Sequence, residues 1–165
     1  MRFKKIRMIP IAIILWIGYL LLAPPKEGSL RYIKLGTARG EANAQFHLAH
    51  LYYTRVLGEP DDSKAAEWFR SAADRGHPYA ANAIAAHLRD GRGVEKDLAE
   101  ARRYYLISAR KGHSIAQQEL ARLCRMGLGG PENLEQAAYW HSRAAQQGSS
   151  HPQRLLGGMY TAGVG

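Results

Sequence analysis

The sequence predicts an all-α solenoid, built from helix pairs that repeat every 36 residues and that follow an N-terminal membrane helix. The first observation is a set of glycines at positions 40, 76, 112 and 148, each 36 residues from the next. Stacking the sequence at this period also gives columns of like apolar residues, such as Ala44, Ala80 and Ala116. A fixed period between roughly 20 and 50 residues is typical of solenoids, whose stacked units share one core. The third observation is an uncharged run near the N-terminus.

Residues 1–25 are interpreted as a signal anchor. Residues 8–23 carry no charge, and a helix of that length spans about 24 Å, somewhat less than a bilayer core of roughly 30 Å. Basic residues precede the run, so we expect a single-pass inner-membrane protein with its repeats in the periplasm. The alternative is a cleaved signal peptide and a secreted or periplasmic protein. Pro24 and Pro25 follow Ala23 and would block cleavage there, which favours the anchor.

The positive charge belongs mainly to the N-terminal segment. The formal net charge is +9, of which residues 1–39 carry +7 and residues 40–165 carry +2. The nearly neutral repeats therefore lack the basic surface of a nucleic-acid-binding protein. The single cysteine, Cys124, excludes an internal disulfide framework and two-cysteine metal sites, and we expect it to be a small buried residue.

Each 36-residue unit is predicted to hold two helices. The apolar columns begin at residues 44, 48 and 52 in the first helix and at residues 65, 68 and 72 in the second, spacings that place each set on one helical face. Gly-x-Gly elements at 91–93, 127–129 and 163–165 favour the left-handed geometry that ends a helix. No P-loop lysine follows them, so we interpret them as caps and not as phosphate-binding loops.

Polar residues mark the expected starts of the helices. Asp97 and Asn133 each precede an apolar stretch and are followed three residues later by a glutamate or a glutamine, the pattern of a capping box. Asp61 is a further candidate cap. His77 and His113 occupy equivalent positions just after a glycine, and we expect them to start helices without a catalytic role.

The period also defines the domain boundaries. Carried back by one period, Trp68 aligns with Tyr32, so residues 26–39 are interpreted as a juxtamembrane capping helix at the membrane end of the stack. The solenoid then covers residues 40–165, with units at 40–75, 76–111 and 112–147 and a partial unit at 148–165.

The repeated motifs resemble those of the Sel-one-like repeat family, within the tetratricopeptide-like superfamily. The similarity rests on Leu156-Gly157-x-x-Tyr160-x-x-Gly163-x-Gly165 and on Gly91-x-Gly93-Val94-x-x-Asp97 followed by Ala101-x-x-Tyr104-Tyr105. The resemblance covers residues 40–165 and implies a right-handed superhelix of antiparallel helix pairs that acts as an adaptor in protein assemblies. The first unit departs from the pattern, since Arg55 and Leu57 stand where the later units have loop glycines.

The resemblance implies that the first helices line a concave face, and the core columns then assign the remaining positions to it. A groove there is predicted to bind a protein or peptide, with an acidic or C-terminal segment as the hypothesis, because Asn and Arg suit backbone amides and carboxylates. The alternatives are a secreted or envelope module that binds glycan or cell wall, a hydrolase accessory protein, and a structural spacer. The predicted partner-binding residues are Asn43, Phe46, His50, Tyr53, Tyr79, Asn82, Arg89, Gln118, Arg122, Arg125 and Arg154.

The sequence offers little for catalysis. There is no nucleophile elbow of the G-x-S-x-G type and no carboxylate pair at a spacing that predicts a glycosidase. His47 and His50 lie three residues apart on one predicted helix, but no third ligand completes a metal site in the sequence. We therefore expect no enzymatic activity, no cofactor, no metal and no small-molecule substrate.

Overall fold

The computed structural model describes residues 30–147, which form seven α-helices and, within that range, no strand. A short 3₁₀ helix at Arg55–Leu57 follows the second helix. The predicted membrane anchor, the partial last unit and Arg154 lie outside the described residues. The helices are α1 (Leu30–Ala38), α2 (Ala42–Tyr53), α3 (Asp62–Asp74), α4 (Pro78–Asp90), α5 (Leu98–Arg110), α6 (Ser114–Arg125) and α7 (Leu134–Ala145).

The helices stack in chain order. The closest packing joins α2 to α3, α4 to α5 and α6 to α7, and each pair also packs against the next through α3 with α4 and α5 with α6. Helices α2, α4 and α6 begin at residues 42, 78 and 114, which reproduces the 36-residue period. The predicted all-α solenoid is thus confirmed for the described residues. Helix α1 lies within the segment 26–39 and packs on α2.

None of the seven helices between residues 30 and 147 has the length and apolar character needed to cross a bilayer. The segment that was predicted to do so, residues 1–25, is not among the described residues.

Alanine columns allow the helices to pack closely. Ala44, Ala80 and Ala116 have no exposed surface, and neither do the alanines of the columns that begin at Ala49 and Ala65. A methyl group at these positions leaves space for large neighbours such as Tyr104, which is also buried. The continuous core that the columns predicted is therefore present.

The predicted N-caps are confirmed. The side chains of Asp61, Asp97 and Asn133 accept hydrogen bonds from the backbone N–H three residues ahead, at 2.9, 2.8 and 2.7 Å. The second half of the capping box is not formed at Asp97, because its own N–H donates to the carbonyl of Leu88 at 3.0 Å. The side chain of Glu100 is directed instead to Arg70 of the preceding unit.

The loop glycines are required by close packing between units. Gly93 and Gly129 have positive φ angles of 65° and 69°. A Cβ atom on Gly93 would lie 2.2 Å from the backbone carbon of Asp62, and one on Gly129 would lie 2.1 Å from the carbonyl oxygen of Leu98. Each of these loops therefore contacts the start of the second helix in the preceding unit.

The first unit has a different loop, as its sequence suggested. The segment Arg55–Leu57 forms a 3₁₀ turn, and the positive φ moves to Gly58, at 114°. The Leu57 side chain lies beside Leu30 of α1, in an opening at the N-terminal end of the stack. A leucine fits there because its side chain lies in this opening, whereas a side chain at position 93 would collide with the backbone of Asp62.

Candidate partner-binding face

Five of the predicted partner-binding residues share one cavity. It has a volume of about 330 Å³ and is formed by α2, α4, the start of α6, the loop after α4 and one side chain of α3. The five predicted residues are Phe46, His50, Tyr53, Tyr79 and Asn82; the others are Phe69, Ala83, Ala86, His87, Arg92, His113 and Ile115. The cavity therefore takes side chains from all three described units.

Aromatic rings connect the units along one side of the cavity. Phe46 stacks on His77, with ring centroids 4.4 Å apart and an angle of 19° between the planes. Phe46 also contacts Phe69 and Tyr79, at 5.8 and 6.4 Å. The ring of Tyr79 then meets His113 edge to face at 5.0 Å. Aromatic pairs in these geometries contribute about 0.5–1.5 kcal/mol each beyond the burial of their area, so the row of rings helps to fix the shape of the cavity.

The loop after α4 also lines the cavity, through Arg92. The Arg92 guanidinium lies 5.5 Å from the ring centroid of Tyr53, and its Nη1 donates a 3.3 Å hydrogen bond to the tyrosine hydroxyl. The backbone carbonyl of Arg92 lies 2.8 Å from Nδ1 of the buried His87. A carbonyl oxygen only accepts, so Nδ1 carries a proton and donates. This bond holds the loop against α4.

The opening of the cavity exposes apolar surface, and a buried polar atom of its lining residues lacks a partner. Tyr79 and Ile115 are each 57% exposed, and Tyr53 is 40% exposed. The amide oxygen of Asn82 is inaccessible to solvent and accepts no hydrogen bond. Buried carbonyl oxygens of this kind are usually satisfied. The arrangement can hold an apolar side chain beside the rings of Tyr53 and Tyr79.

The arginine end of the predicted face lies outside the cavity and is largely neutralised. Glu119 forms ion pairs with Arg89 at 2.9 Å and with Arg122 at 3.0 Å. Arg89 also pairs with Asp90 at 2.7 Å, and this hydrogen bond lowers the pKa of the Asp90 carboxyl. Two arginines thus face two carboxylates, so this region is less basic than its arginine count suggested. Arg125 remains exposed.

The remaining predicted residues do not join the cavity. Asn43 is exposed near the start of α2, and Gln118 is half-buried on α6. Both lie on first helices, as the period required, but neither lines the cavity.

Sequence reasoning missed seven residues of the cavity, which lie on first helices, on the second helix α3, just before α6 and in the loop after α4. Ala83 and Ala86 continue the stripe of Tyr79 and Asn82 along α4, and this helical spacing could have found them. Arg92 belongs to a loop, and the 36-residue period does not predict that its side chain packs over the ring of Tyr53 in the preceding unit.

No metal centre is formed by the described residues. Between residues 30 and 147, no group of three His, Cys, Asp or Glu side chains lies close enough to hold an ion. His50 is exposed in the cavity, while the ring of His47 packs between Tyr32 and Phe46 at 6.2 and 5.8 Å. The two histidines thus have different neighbours although they are only one helical turn apart.

His77 and His113 cap helices, as predicted. Nδ1 of His77 accepts the N–H of Ala80 at 3.1 Å, and Nδ1 of His113 accepts the N–H of Ala116 at 3.3 Å. Because Nδ1 accepts, the neutral ring carries its proton on Nε2. Protonation of Nδ1 would remove the cap.

Acidification is expected to destabilise the wild-type protein more than a His113→Asn variant. Burial lowers the pKa of His113 below its ordinary value of 6.5. Below pH 6.5 the unfolded chain binds more protons at this histidine than the folded chain does. The contribution of His113 to the free energy of unfolding is therefore complete above pH 6.5 and is lost as the pH falls. Asparagine caps a helix equally well and does not titrate, so the variant should keep about 1 kcal/mol that the wild type loses.

The measurement is a pair of thermal melts in mild detergent, followed by circular dichroism at about pH 7.5 and about pH 5, either side of the ordinary histidine pKa. Carboxylates titrate alike in both proteins, so only the difference between them reports His113. Equal losses of stability in the two proteins would contradict the assignment.

Comparison with known proteins agrees with the geometry. A family model described as Sel1 repeat matches residues 42–77, 78–113 and 114–149. No curated protein matches the chain significantly.

Solved structures of several proteins share the fold. A Sel1 repeat protein from Oxalobacter formigenes is 31% identical, with a TM-score of 0.71, over 77% of this chain and 96% of that one. A protective antigen of uropathogenic Escherichia coli is 26% identical, with a TM-score of 0.78, over 84% of this chain but only 30% of its own length. Cysteine-rich protein B of Helicobacter pylori, at 17% identity and a TM-score of 0.57, shares the fold over 79% of this chain and 100% of its own. With three family matches that together span most of its length, the chain belongs to the Sel1 repeat family.

Proposed function

We propose that the protein is an adaptor whose cavity on α2, α4 and α6 binds an extended segment of a partner protein. Sel1 repeats generally mediate protein–protein interactions and are generally not enzymes. The observation that carries the proposal is the cavity itself, which places the exposed rings of Tyr53 and Tyr79 from the first two units beside the exposed Ile115 of the third.

The cavity suits a peptide anchored by one apolar side chain. Its volume of about 330 Å³ lies at the lower end of the range for small-molecule sites, and it is open to solvent. An aromatic or branched side chain would pack between Tyr53 and Tyr79. An acidic residue of the peptide would lie near Arg92, which is the arginine that lines the cavity.

The proposal includes the location of the repeats. The uncharged run at 8–23 with its basic N-terminal flank supports a single membrane anchor, and the same asymmetry of charge supports a periplasmic position for the repeats. An adaptor fixed in this way would bring its partner to the membrane surface.

Peptide selection on the full-length protein tests the adaptor function. A random peptide library is panned against the protein in mild detergent, and enriched peptides are synthesised for titration by fluorescence anisotropy. Tyr79→Ala is expected to weaken their binding at least about tenfold, since exposed aromatic residues at the centre of an interface commonly act as hot spots.

Tyr139→Ala is the matched control. Tyr139 is 53% exposed, close to the 57% of Tyr79, but lies on the second helix α7 and does not line the cavity. Binding that is unchanged by the control and weakened by Tyr79→Ala supports the proposal. Equal binding by both variants, or a library that yields no enriched peptide, would refute it.

A further inference from the structure

The N-terminal end of the stack carries an apolar groove. It lies between α1, α2 and the 3₁₀ turn and has a volume of about 480 Å³. Several of its apolar side chains, and their neighbours, are strongly exposed: Leu30 at 69%, Val56 at 68% and Leu57 at 50%. The lining residues are Leu30, Ile33, Lys34, Thr37, Ala38, Leu48, Leu51 and Leu57, of which only Lys34 and Thr37 are polar.

The same surface is covered further along the stack. Leu48 lines the groove and is half-buried, whereas its equivalents Ile84 and Leu120 are 0% and 2% exposed beneath the preceding unit. No described residue covers the corresponding apolar surface of α1 and α2. Exposed apolar patches of this kind commonly mark contact with another protein or a membrane.

The chain itself indicates which of these covers the groove. Six residues, 24–29, separate the uncharged run at 8–23 from Leu30. Seven extended peptide steps reach at most about 24 Å, so Leu30 must lie within that distance of the point where the run ends. The run is apolar on every side, which suits a bilayer interior better than one wall of a groove.

The charge of α1 complements an anionic surface. Helix α1 holds two cations, Arg31 and Lys34, and no acid; Arg39, which follows the helix, pairs with Glu41 at 3.9 Å. Lys34 lies on the rim of the groove, where its ammonium group can reach a phosphate while its alkyl chain packs with the leucines. Apolar contact combined with neighbouring basic residues is the recognised pattern of helices that lie in a membrane interface.

We propose that this end of the stack lies on the lipid surface, with acyl chains against the groove and anionic headgroups against the cations of α1. The inference rests on the proposed membrane anchor and adds the orientation that the anchor alone does not define. The first unit then contacts the bilayer, and the third unit is the most distant of those described.

Photocrosslinking of the full-length protein in nanodiscs tests the orientation. The nanodiscs contain phosphatidylglycerol, and p-benzoyl-L-phenylalanine replaces Leu57 in one variant and Val56 in a second, so that failure of one variant to fold does not decide the result. Ile115, which is 57% exposed and lies in the cavity, is the control position. Lipid adducts, detected by mass spectrometry, are expected to be at least several-fold more abundant at positions 56 and 57 than at position 115.

Flotation of the full-length protein with proteoliposomes after carbonate extraction separates the two hypotheses. A chain that floats and labels lipid at positions 56 and 57 supports the inference. A chain that floats but labels a second copy, labels all three positions alike or gives no adduct overturns the orientation and leaves the anchor intact. A chain that does not float overturns the anchor, and the lipid contact with it.

Discussion

Gly129→Ala is expected to destabilise the protein by about 2–5 kcal/mol. Gly129 has a φ of 69°, a conformation that costs an alanine about 1–2 kcal/mol. The new Cβ would also lie 2.1 Å from the carbonyl oxygen of Leu98 and 2.4 Å from its carbon, so α5 and the loop before α7 would have to move apart. Overpacking of this kind commonly adds about 1–3 kcal/mol.

Gly112→Ala provides the control for backbone strain. Gly112 has a φ of 88°, but nothing lies within 4 Å of its would-be Cβ. This variant should lose only about 1–2 kcal/mol, the cost of the left-handed conformation. Urea denaturation in mild detergent, followed by the helical circular dichroism signal, measures both. Equal losses in the free energy of unfolding would show that the contact with Leu98 relaxes at little cost. Close packing of this loop would then contribute little to holding the two units together.

Tyr104→Ala is expected to cost about 3–5 kcal/mol, the range for loss of a buried aromatic side chain. Tyr104 is 1% exposed on α5, and its hydroxyl donates a 2.8 Å hydrogen bond to Asp74 at the end of α3. The guanidiniums of Arg70 and Arg103 lie 5.7 and 4.5 Å from its ring centroid. Burial raises the pKa of Tyr104, which keeps the hydroxyl protonated as a donor. One side chain thus connects the second helices of two units.

Tyr104→Phe separates packing from hydrogen bonding. The ring and its cationic neighbours remain, and only the bond to Asp74 is removed, so the loss should be about 1 kcal/mol. Thermal melts of both variants in the same detergent are the measurement. A loss with phenylalanine as large as that with alanine would mean that the hydrogen bond, and not the ring, holds the units together. The cavity draws side chains from three units, so peptide binding should fall with Tyr104→Ala even though Tyr104 does not line it.

The repeat architecture could be predicted from the sequence because the residues that define it recur every 36 positions. Glycines and alanines at a constant spacing specify close approach between helices, and short polar side chains such as Asp97 specify where a helix begins. The positions of the first helices followed from the same period, which is why Phe46 and Tyr79 could be assigned to one face before their contacts were known.

The cavity could be predicted only in part because it depends on contacts outside the period. Phe69 comes from a second helix and Arg92 from a loop, and neither lies on the stripe that the columns defined. Pairing across units was likewise invisible: Arg89 looked like a free cation until α6 placed Glu119 beside it. Glu119 and Arg122, three residues apart on one helix, could have been paired from the sequence alone.

The loop glycines also restrict how such a chain can grow by gene duplication. A copy of the second or third unit can be inserted behind another unit. Its loop glycine has no side chain and therefore leaves room for the start of the second helix in the preceding unit, as Gly93 does for Asp62. A copy of the first unit would bring Leu57 to that point, where no side chain fits. Copies of the second and third units can therefore lengthen the array, whereas a copy of the first unit does not fit behind another unit.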